Sequence, residues 1–264
     1  MAEWSIAQVC KTSVHGFESR WCLHRWILFI SITEMLSFIP TPIGNIEDIT
    51  LRAKRLFEEL TIFFCEDTRT TKKLLRMYNI EYTHKQFFSL TSFTSDAKLL
   101  EYITLAMENH CGVVSDAWVP WLSDPWKSLI EIAHRYGITF EVLPWANALL
   151  PVVVASPRDS SSFTYVWFPP TKKGRQTFFT KVLQSVYPVY MYESVHRIKK
   201  TISQLYQIGG DRQCIIGREL TKMYEQLYTG TLASALDAIE QWEVSLKGEF
   251  VLGIYPDEAT RKWK

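Results

Sequence analysis

Short apolar runs of strand length alternate with helical patterns from residue 36 to residue 155 of this chain. The predicted strands are 36–39, 61–65, 85–91, 111–115 and 138–143. The predicted helices are 48–60, 68–78, 95–107, 128–136 and 146–155, with Asp48 and Ser95 as expected N-caps. Strands that alternate with helices form a mostly parallel sheet with helices on both faces. This part of the sequence therefore predicts an α/β fold.

A polar segment, SPRDSSS at 156–162, is the best linker candidate because it combines serines with a proline. A second α/β half follows it, with predicted strands at 163–168, 189–194, 213–218 and 249–255 and predicted helices at 173–185, 196–207 and 231–241. We therefore predict two α/β lobes with mixed or mostly parallel sheets. The expected divisions are an extension at 1–34, a first domain at 35–157 and a second domain at 158–264.

Charge and cysteine usage argue against two broad classes of protein. With 29 basic and 28 acidic residues the net charge is +1, so no global basic field marks a nucleic-acid binder. Any RNA contact must therefore come from a local patch. The five cysteines are scattered without CxxC spacing, which predicts a reducing, cytoplasmic compartment and no structural metal site.

Residues 1–34 differ in character from the rest of the chain. The apolar run WCLHRWILFISI at 21–32 is too short and too interrupted to span a membrane. Arg20 and Arg25 give it some likeness to a signal peptide, but no small-residue cleavage site follows. We interpret 1–34 as an extension added by an upstream start codon assigned in error. A membrane anchor and a loosely packed extension are the alternatives.

One segment, VVSDAWVPWLSDPWK at 113–127, has the features of a ligand-binding loop. It begins as an apolar strand and ends in a proline-punctuated loop before a helix, and open α/β sheets bind ligands at such strand ends. Asp116 and Asp124 lie in it, eight positions apart. Its three tryptophans, at 118, 121 and 126, are unexpected, because turns of this kind usually require glycine.

With glycine at those tryptophans and threonine for Val119, the segment would read SDAGTPGLSDPG. That resembles a signature of the ribosomal small-subunit methyltransferase I family, S-adenosylmethionine-dependent enzymes of the tetrapyrrole-methylase superfamily. The resemblance extends from about Met35 to Tyr255. Its further motifs are IPTPIGNIEDITLRA (39–53), CEDTRTTKKLL (65–75), LPWANALL (143–150), YVWFPP (165–170), YESVHR (192–197), GRELTKMYEQ (217–226) and KGEFVLGI (247–254). Several long motifs in the same order make the match specific.

Tryptophan replaces family glycines repeatedly. The positions are Trp118, Trp121, Trp126, Trp145, Trp167 and Trp242. The chain has 11 glycines in 264 residues, about 4%, where proteins average roughly 7%. We hypothesise that the sequence was translated with the wrong genetic code, so that a UGA codon meant for glycine was read as tryptophan. The alternative is a divergent or inactive protein.

The resemblance implies that S-adenosylmethionine binds in a cleft between the two lobes. Methyl transfer from a sulfonium needs no metal, but it needs in-line approach of the acceptor and exclusion of water. The residues that the resemblance assigns to the cofactor are Pro42, Gly44, Asp116, Ala117, Trp118, Val119, Trp145, Asn147, Ala148 and Trp167. A turn or cap for Asp116 and a tight turn for Pro42 and Gly44 are the structural alternatives.

The implied substrate is 16S ribosomal RNA in the small ribosomal subunit, methylated on the 2′-hydroxyl of a cytidine near the decoding centre. That hydroxyl is a poor nucleophile until a base accepts its proton or a cation stabilises its charge. The candidate catalytic residues are Glu193 and Arg197 in YESVHR and Arg218, Glu219 and Lys222 in GRELTK. Ordinary salt bridges are the alternative role for these groups.

Two basic patches are candidates for RNA contact. Arg69, Lys72, Lys73 and Arg76 lie three and four positions apart, on one broad face of the predicted helix 68–78. Such a stripe suits phosphates, although a solvated helix face is the alternative. Lys172 and Lys173, followed by Arg175, form the second patch.

Three hypotheses for function remain at this point. The first is cytidine 2′-O-methylation of 16S ribosomal RNA, by a cytoplasmic enzyme that the resemblance implies is a homodimer. The second is methylation of a tetrapyrrole or another small substrate on the same fold. The third is an inactive RNA-binding homologue whose cofactor pocket is plugged by its tryptophans.

Overall fold

Five parallel strands form the sheet of the first lobe in a computed structural model that describes residues 35–115 and 126–257. The strand order is β3-β2-β4-β1-β5. The bounds are β1 Met35–Ile39, β2 Ile62–Cys65, β3 Gln86–Ser89, β4 His110–Val114 and β5 Thr139–Val142. Because all the pairs are parallel, every strand ends at the same edge of the sheet.

Helices cover both faces of this sheet, because successive strand residues point to opposite faces. Their bounds are α1 Leu51–Glu59, α2 Thr68–Met77, α3 Asp96–Glu108 and α4 Trp126–Tyr136. Phe63 packs with Phe57 of α1 on one face, whereas its neighbour Phe64 stacks on Tyr102 of α3, with ring centroids 4.5 Å apart. The connections that follow β1 and β4 therefore lie on opposite faces, and a crevice opens at the carboxyl ends of these two strands.

The second lobe has a mixed five-stranded sheet in the order β6-β7-β10-β8-β9. Only the β6–β7 pair is parallel. The bounds are β6 Thr164–Val166, β7 Val189–Ser194, β8 Gln213–Arg218, β9 Gln226–Thr231 and β10 Glu249–Ile254. Three helices, α6 Arg175–Leu183, α7 Ile198–Gly209 and α8 Leu232–Glu240, pack on one face. The other face receives α5 Leu149–Val154, whose Val152 is buried against Tyr190 and Val251.

The predicted α/β fold with two lobes and mixed or mostly parallel sheets is confirmed. Strands 189–194 and 213–218 have the predicted bounds, and Ser95 caps α3 as expected. The predicted cap at Asp48 is wrong: Asp48 ends a short 3-10 turn, and the Thr50 hydroxyl caps α1 by accepting from the Ala53 amide at 3.0 Å. Strand β9 was missed, and the predicted helix 146–155 is shortened to α5.

Helix α5 follows the last strand of the first lobe but packs on the second sheet. The division of the chain at residue 157 stays a prediction. The predictions for 1–34 and for the loop 116–125 lie outside the described residues. Within the described ranges, no helix is long and apolar enough to cross a membrane.

Candidate functional site

The loops that carry the predicted cofactor motifs meet at the carboxyl edge of the first sheet. The Thr41 hydroxyl, after β1, donates to the carbonyl oxygen of Ser115, after β4, at 2.9 Å. Ser115 immediately precedes Asp116, Ala117, Trp118 and Val119, which lie outside the described residues, so their cofactor contacts stay predictions. The strand end that leads into them is buried, and Pro42 directly follows Thr41 in the loop after β1.

A cavity of about 240 Å³ lies between the two lobes, next to this edge. The first lobe contributes Ile43 and residues 145–150, and the second contributes residues around the carboxyl end of β8 and the start of β10. The described lining residues are Ile43, Trp145, Ala146, Asn147, Ala148, Leu149, Leu150, Tyr165, Trp167, Tyr192, Gly217, Leu220, Glu249, Phe250 and Val251. Four predicted cofactor residues, at positions 145, 147, 148 and 167, therefore share one cavity. The Asn147 side chain also accepts a hydrogen bond from the Leu150 amide at the start of α5.

Gly44 lies at a tight contact between the two lobes. A Cβ atom at this position would stand 2.6 Å from Cγ of Lys222 and 2.7 Å from the Thr221 hydroxyl. The neighbouring Asn45 amide donates to that hydroxyl at 3.2 Å. A side chain here would force the lobes apart, so the structure gives Gly44 a role in lobe contact; direct cofactor contact by Gly44 stays a prediction.

The loop 219–225, which carries the second-lobe side of this contact, has a strained backbone. Glu219 and Thr221 both have positive φ angles, 49° and 65°, although neither is glycine. Arg218 holds the loop: its guanidinium donates to the carbonyl oxygens of Lys247 at 2.6 Å and Tyr224 at 2.7 Å. Strain of this kind persists when surrounding contacts enforce it, and it clusters at functional sites.

Lys222 lies between two carboxylates, those of Glu219 and of the cavity-lining Glu249. Its Nζ is 3.0 Å from Glu219 and 2.8 Å from Glu249. Burial alone would lower the pKa of Lys222, but the hydrogen bonds to Glu249 and Glu219 outweigh it and raise the pKa. Burial alone would raise the pKa of Glu219, but the hydrogen bonds from Lys222 and the Glu249 amide lower it. Lys222 and Glu219 are therefore both charged at neutral pH. Glu249 was missed as a site residue, although it lies in the motif KGEFVLGI.

Glu193 and Arg197, the other predicted catalytic residues, do not reach the cavity lining. Glu193 is buried, with 1% of its surface exposed, and forms an ion pair with Arg197 at 2.8 Å. Arg175 was predicted to extend the basic patch at 172–173, but it is also buried because it pairs with Glu193. Lys172 and Lys173 are exposed, as an RNA contact requires.

The basic stripe on α2 is divided by its local contacts. Lys73 and Arg76 are exposed, whereas Lys72 is half-buried, with its ammonium 5.0 Å from the centre of the Phe87 ring. Arg69 is exposed but pairs with Asp67 at 2.7 Å, and this hydrogen bond lowers the pKa of Asp67 to about 2. Lys73 and Arg76, farther along the helix, are therefore the cations of this stripe that are best placed to contact a phosphate from solvent.

Comparison with known proteins places the chain in a family. The model of the tetrapyrrole (corrin/porphyrin) methylases matches residues 35–236. The ribosomal RNA small subunit methyltransferase I of Helicobacter pylori is 35% identical over 236 residues, which cover 83% of this chain and 82% of that protein. The enzyme of the same name from Mycoplasma pneumoniae is 34% identical over 222 residues, with 83% and 79% covered. The chain belongs to the ribosomal RNA small subunit methyltransferase I family.

Solved structures agree on the fold of this family member. A cobalt precorrin-4 methyltransferase superposes with a TM-score of 0.56 at 14% identity, over 83% of this chain and 94% of that one. The uroporphyrin-III C-methyltransferase of Thermus thermophilus gives the same TM-score at 13% identity, over 84% and 94%. The predictions of a methyltransferase that uses S-adenosylmethionine are confirmed by the family membership.

The residues around the cavity fit an adenosyl cofactor. Tyr165 and Tyr192 form an aromatic wall, with ring centroids 5.7 Å apart. The Tyr165 hydroxyl is buried and makes no hydrogen bond with any described residue. Burial raises the pKa of Tyr165 and raises that of Tyr192 to about 12, so both phenols stay neutral and can donate. Residues 145–148 of the first lobe line the same cavity.

Trp242 supplies independent support for the hypothesis of misread glycines. It follows α8 with a φ of 64°, and its side chain is 84% exposed. Its amide and that of Glu243 bond back to Ile239 and Ala238, which is the Schellman pattern that glycine usually completes. Trp145 and Trp167, two further positions at which the resemblance implies glycine, line the cavity.

Proposed function

We propose that this enzyme methylates the 2′-hydroxyl of a cytidine in 16S ribosomal RNA of the small subunit, at the decoding centre. The relatives named above support ribosomal RNA as the substrate class. The observation that carries the proposal is that Glu249 lines the interlobe cavity and forms an ion pair with Lys222, which also pairs with Glu219. This cluster brings a fixed cation and carboxylates to the place where an acceptor hydroxyl would enter.

The bound cofactor supplies an electrophilic methyl group on a sulfonium, and S-adenosylhomocysteine leaves when the carbon–sulfur bond breaks. In our proposal the Lys222 ammonium stabilises the negative charge that develops on the 2′-oxygen. Glu249, which lines the cavity and is largely exposed, accepts the proton. Arg218 and Glu219 hold Lys222 and the loop 219–225 in position.

The RNA-binding surface in this proposal is formed by exposed cations of both lobes. Helix α2 begins where β2 ends, at the same sheet edge as the cavity, so Arg69 is nearest the site and Lys73 and Arg76 extend away from it. Lys172 and Lys173 would bind phosphates from the second lobe. Lys72 contributes less, because its ammonium faces Phe87.

The test is a map of 2′-O-methylation on small-subunit RNA from cells with and without the gene, followed by methylation of isolated small subunits with the purified enzyme. We expect one cytidine to lose its methyl group without the gene and to regain it in vitro. A complete map with no change would contradict the proposal. Lys222→Met should lower kcat by about 10², with S-adenosylhomocysteine affinity unchanged.

Two further parts of the proposal concern the assembly and its location. We propose that the enzyme is a homodimer that acts in the cytoplasm, where the small subunit is assembled. Sedimentation velocity of the purified protein tests the first part, and a single monomer boundary at micromolar concentration would contradict it. Methylation of a tetrapyrrole is not favoured by any described contact, because the solved structures named above share only the fold.

A further inference from the structure

A buried polar cluster beneath the second-lobe wall of the cavity has no role in the function described so far. Its centre is Glu193, in β7, of which 1% is exposed. Thr201 of α7 is fully buried, and Arg175 of α6 is 6% exposed. Burial of this many polar groups costs free energy unless each is paired, so each group must find a partner in or next to the cluster.

Both carboxylate oxygens of Glu193 are occupied. Oε1 accepts from Arg197 at 2.8 Å and from the Ser194 amide at 2.8 Å. Oε2 accepts from the Thr201 hydroxyl and lies 3.5 Å from Arg175. A group held in this way, and closed to solvent, cannot also take a proton from an RNA hydroxyl.

The two guanidinium groups reach from Glu193 to one short stretch of backbone. Arg175 donates through Nη1 to the carbonyl oxygen of Pro170 at 2.8 Å. Arg197 donates through Nη1 to the carbonyl oxygen of Pro169 at 3.2 Å. Neither proline has an N–H group, so carbonyl contacts are the main polar means of fixing this stretch.

The stretch that these carbonyls fix is the one that builds the cavity wall. Trp167 and Phe168 immediately precede Pro169, and their rings lie 5.5 and 5.9 Å from that of Tyr192. Trp167 and Tyr192 both line the cavity. Any displacement of the Pro169–Pro170 backbone would therefore move the wall of the cofactor site.

We propose that Glu193, Arg175, Arg197 and Thr201 form a positioning clamp that holds the 167–170 segment in the shape that cofactor binding requires. The clamp residues do not touch the reacting atoms. Glu193 and Arg197 act through the segment rather than as catalytic groups. The inference rests on the S-adenosylmethionine-dependent activity of the family and does not depend on which RNA is methylated.

The test uses conservative variants of the full chain and two measurements that need no RNA. Arg175→Lys keeps the charge but cannot reach Glu193 and Pro170 together, and Thr201→Val removes one hydroxyl at nearly constant volume. For each, hydrogen exchange of the ligand-free protein is followed in peptides that contain 166–171, and S-adenosylhomocysteine affinity is measured by calorimetry. We expect faster exchange confined to this segment and affinity weakened about tenfold, the loss of one charge-assisted hydrogen bond.

The matched control is Arg212→Lys. Arg212 is a partly buried arginine that also donates to a backbone carbonyl, that of Gly209, but it precedes β8 at the end away from the cavity. This variant should leave both measurements unchanged. If Arg175→Lys does not fold, Arg197→Lys gives the same test at a more exposed position.

Two results would overturn the clamp. One is unchanged exchange and unchanged affinity in both Arg175→Lys and Thr201→Val. The other is a Glu193→Gln protein that keeps normal exchange and affinity but loses kcat on RNA, which would return Glu193 to direct catalysis. If the wild-type protein binds S-adenosylhomocysteine normally but does not methylate RNA, that result would instead count against the proposed RNA substrate.

Discussion

At the scale of single residues, the tryptophans are the most informative feature. Trp242 adopts the left-handed conformation with an exposed ring, so the ring provides little packing to offset the backbone strain. Trp145 and Trp167 lie on the cavity walls. At 242 a tryptophan thus adopts a backbone conformation that favours glycine without an evident packing gain, which supports the hypothesis that glycine is encoded at this position.

Trp242→Gly should stabilise the protein by about 1 kcal/mol, the usual cost of a left-handed residue that has a Cβ atom. Trp242→Ala keeps the Cβ atom and is the control, so it should not gain this amount. Urea unfolding of the three proteins measures the difference. Equal stabilities for the glycine and alanine variants would contradict the hypothesis at this position.

Glycine at 118, 121, 126, 145 and 167 together should tighten S-adenosylhomocysteine binding by about tenfold or more, because overfilling a packed site costs 1–3 kcal/mol. Calorimetry of the protein with tryptophan at these positions and of the glycine form measures the difference in affinity. Equal or tighter binding by the printed sequence would show that the rings do not obstruct the site. Mass spectrometry of the native protein reads the same positions directly.

At the scale of elements, the strained loop 219–225 and the loop after β1 form one unit across the lobes. The loop after β1 has its glycine where Lys222 approaches, and Gly248 has a φ of 89° with the Glu219 carboxyl group against its α-carbon. These two close approaches fix where Lys222 and Glu249 stand at the cavity. The position of the charged cluster therefore depends on the lack of a side chain at Gly44 and Gly248 as well as on the charged residues themselves.

Gly44→Ala should destabilise the protein by about 1–3 kcal/mol and weaken cofactor binding, because the new methyl group overlaps Lys222. Gly137→Ala is the control: its φ of 69° makes alanine strained, but nothing lies within 4 Å of the added atom. The control should lose stability and keep its affinity for S-adenosylhomocysteine. Normal affinity in Gly44→Ala would count against a coupled interlobe contact.

The Glu219–Lys222 pair predicts a pH dependence of stability with a definite sign. Because the folded pKa of Glu219 is lowered, its contribution is fully present above the unfolded pKa of about 4.3 and is lost as pH falls through the folded pKa. The stability difference between wild type and Glu219→Gln should therefore be constant near neutrality and shrink in acid. Urea unfolding between about pH 3 and pH 7 measures it. A difference that stays constant down to the lowest pH would contradict the lowered pKa.

At the scale of the whole molecule, the two lobes contribute different parts of the site. The parallel sheet brings strand ends and their loops to one edge, and the mixed sheet supplies the aromatic wall and the charged cluster. Both lobes carry exposed cations, Lys73 and Arg76 on the first and Lys172 and Lys173 on the second. With a net charge of +1, RNA affinity must come from these local patches rather than from the overall field.

Replacement of Lys73 and Arg76 by alanine should reduce the slope of log K for RNA against log salt by about 0.7 for each phosphate contact removed. Lys199→Ala is the control, because this lysine pairs with Glu240 on the outer helices of the second lobe. Fluorescence anisotropy over a range of salt concentrations gives the slopes. An unchanged slope in the double variant would show that Lys73 and Arg76 of α2 do not contact RNA phosphates.

Sequence reasoning succeeded where the signal is local. The alternation of apolar runs located nine of the ten strands in the part of the chain that the structure describes, and the serine directly before an apolar pattern located the cap of α3. It failed where neighbours far along the chain decide. Asp48 and Thr50 both offer a capping oxygen, and the burial of Ala53 and Phe57 against the sheet selects Thr50. Arg175 has the sequence context of a surface cation, and only its approach to Glu193 makes it buried.

The amino-acid sequence alone determined the α/β class, the two lobes, the family and the loops that meet at the cavity, because each follows from short-range periodicity or from motifs read in order. Only the tertiary structure decided which charged residues face that cavity. Arg197 donates to the Pro169 carbonyl oxygen across 28 positions of chain, and Lys222 reaches Glu249 across 27. Such contacts depend on how helices and strands pack, and no local pattern records them.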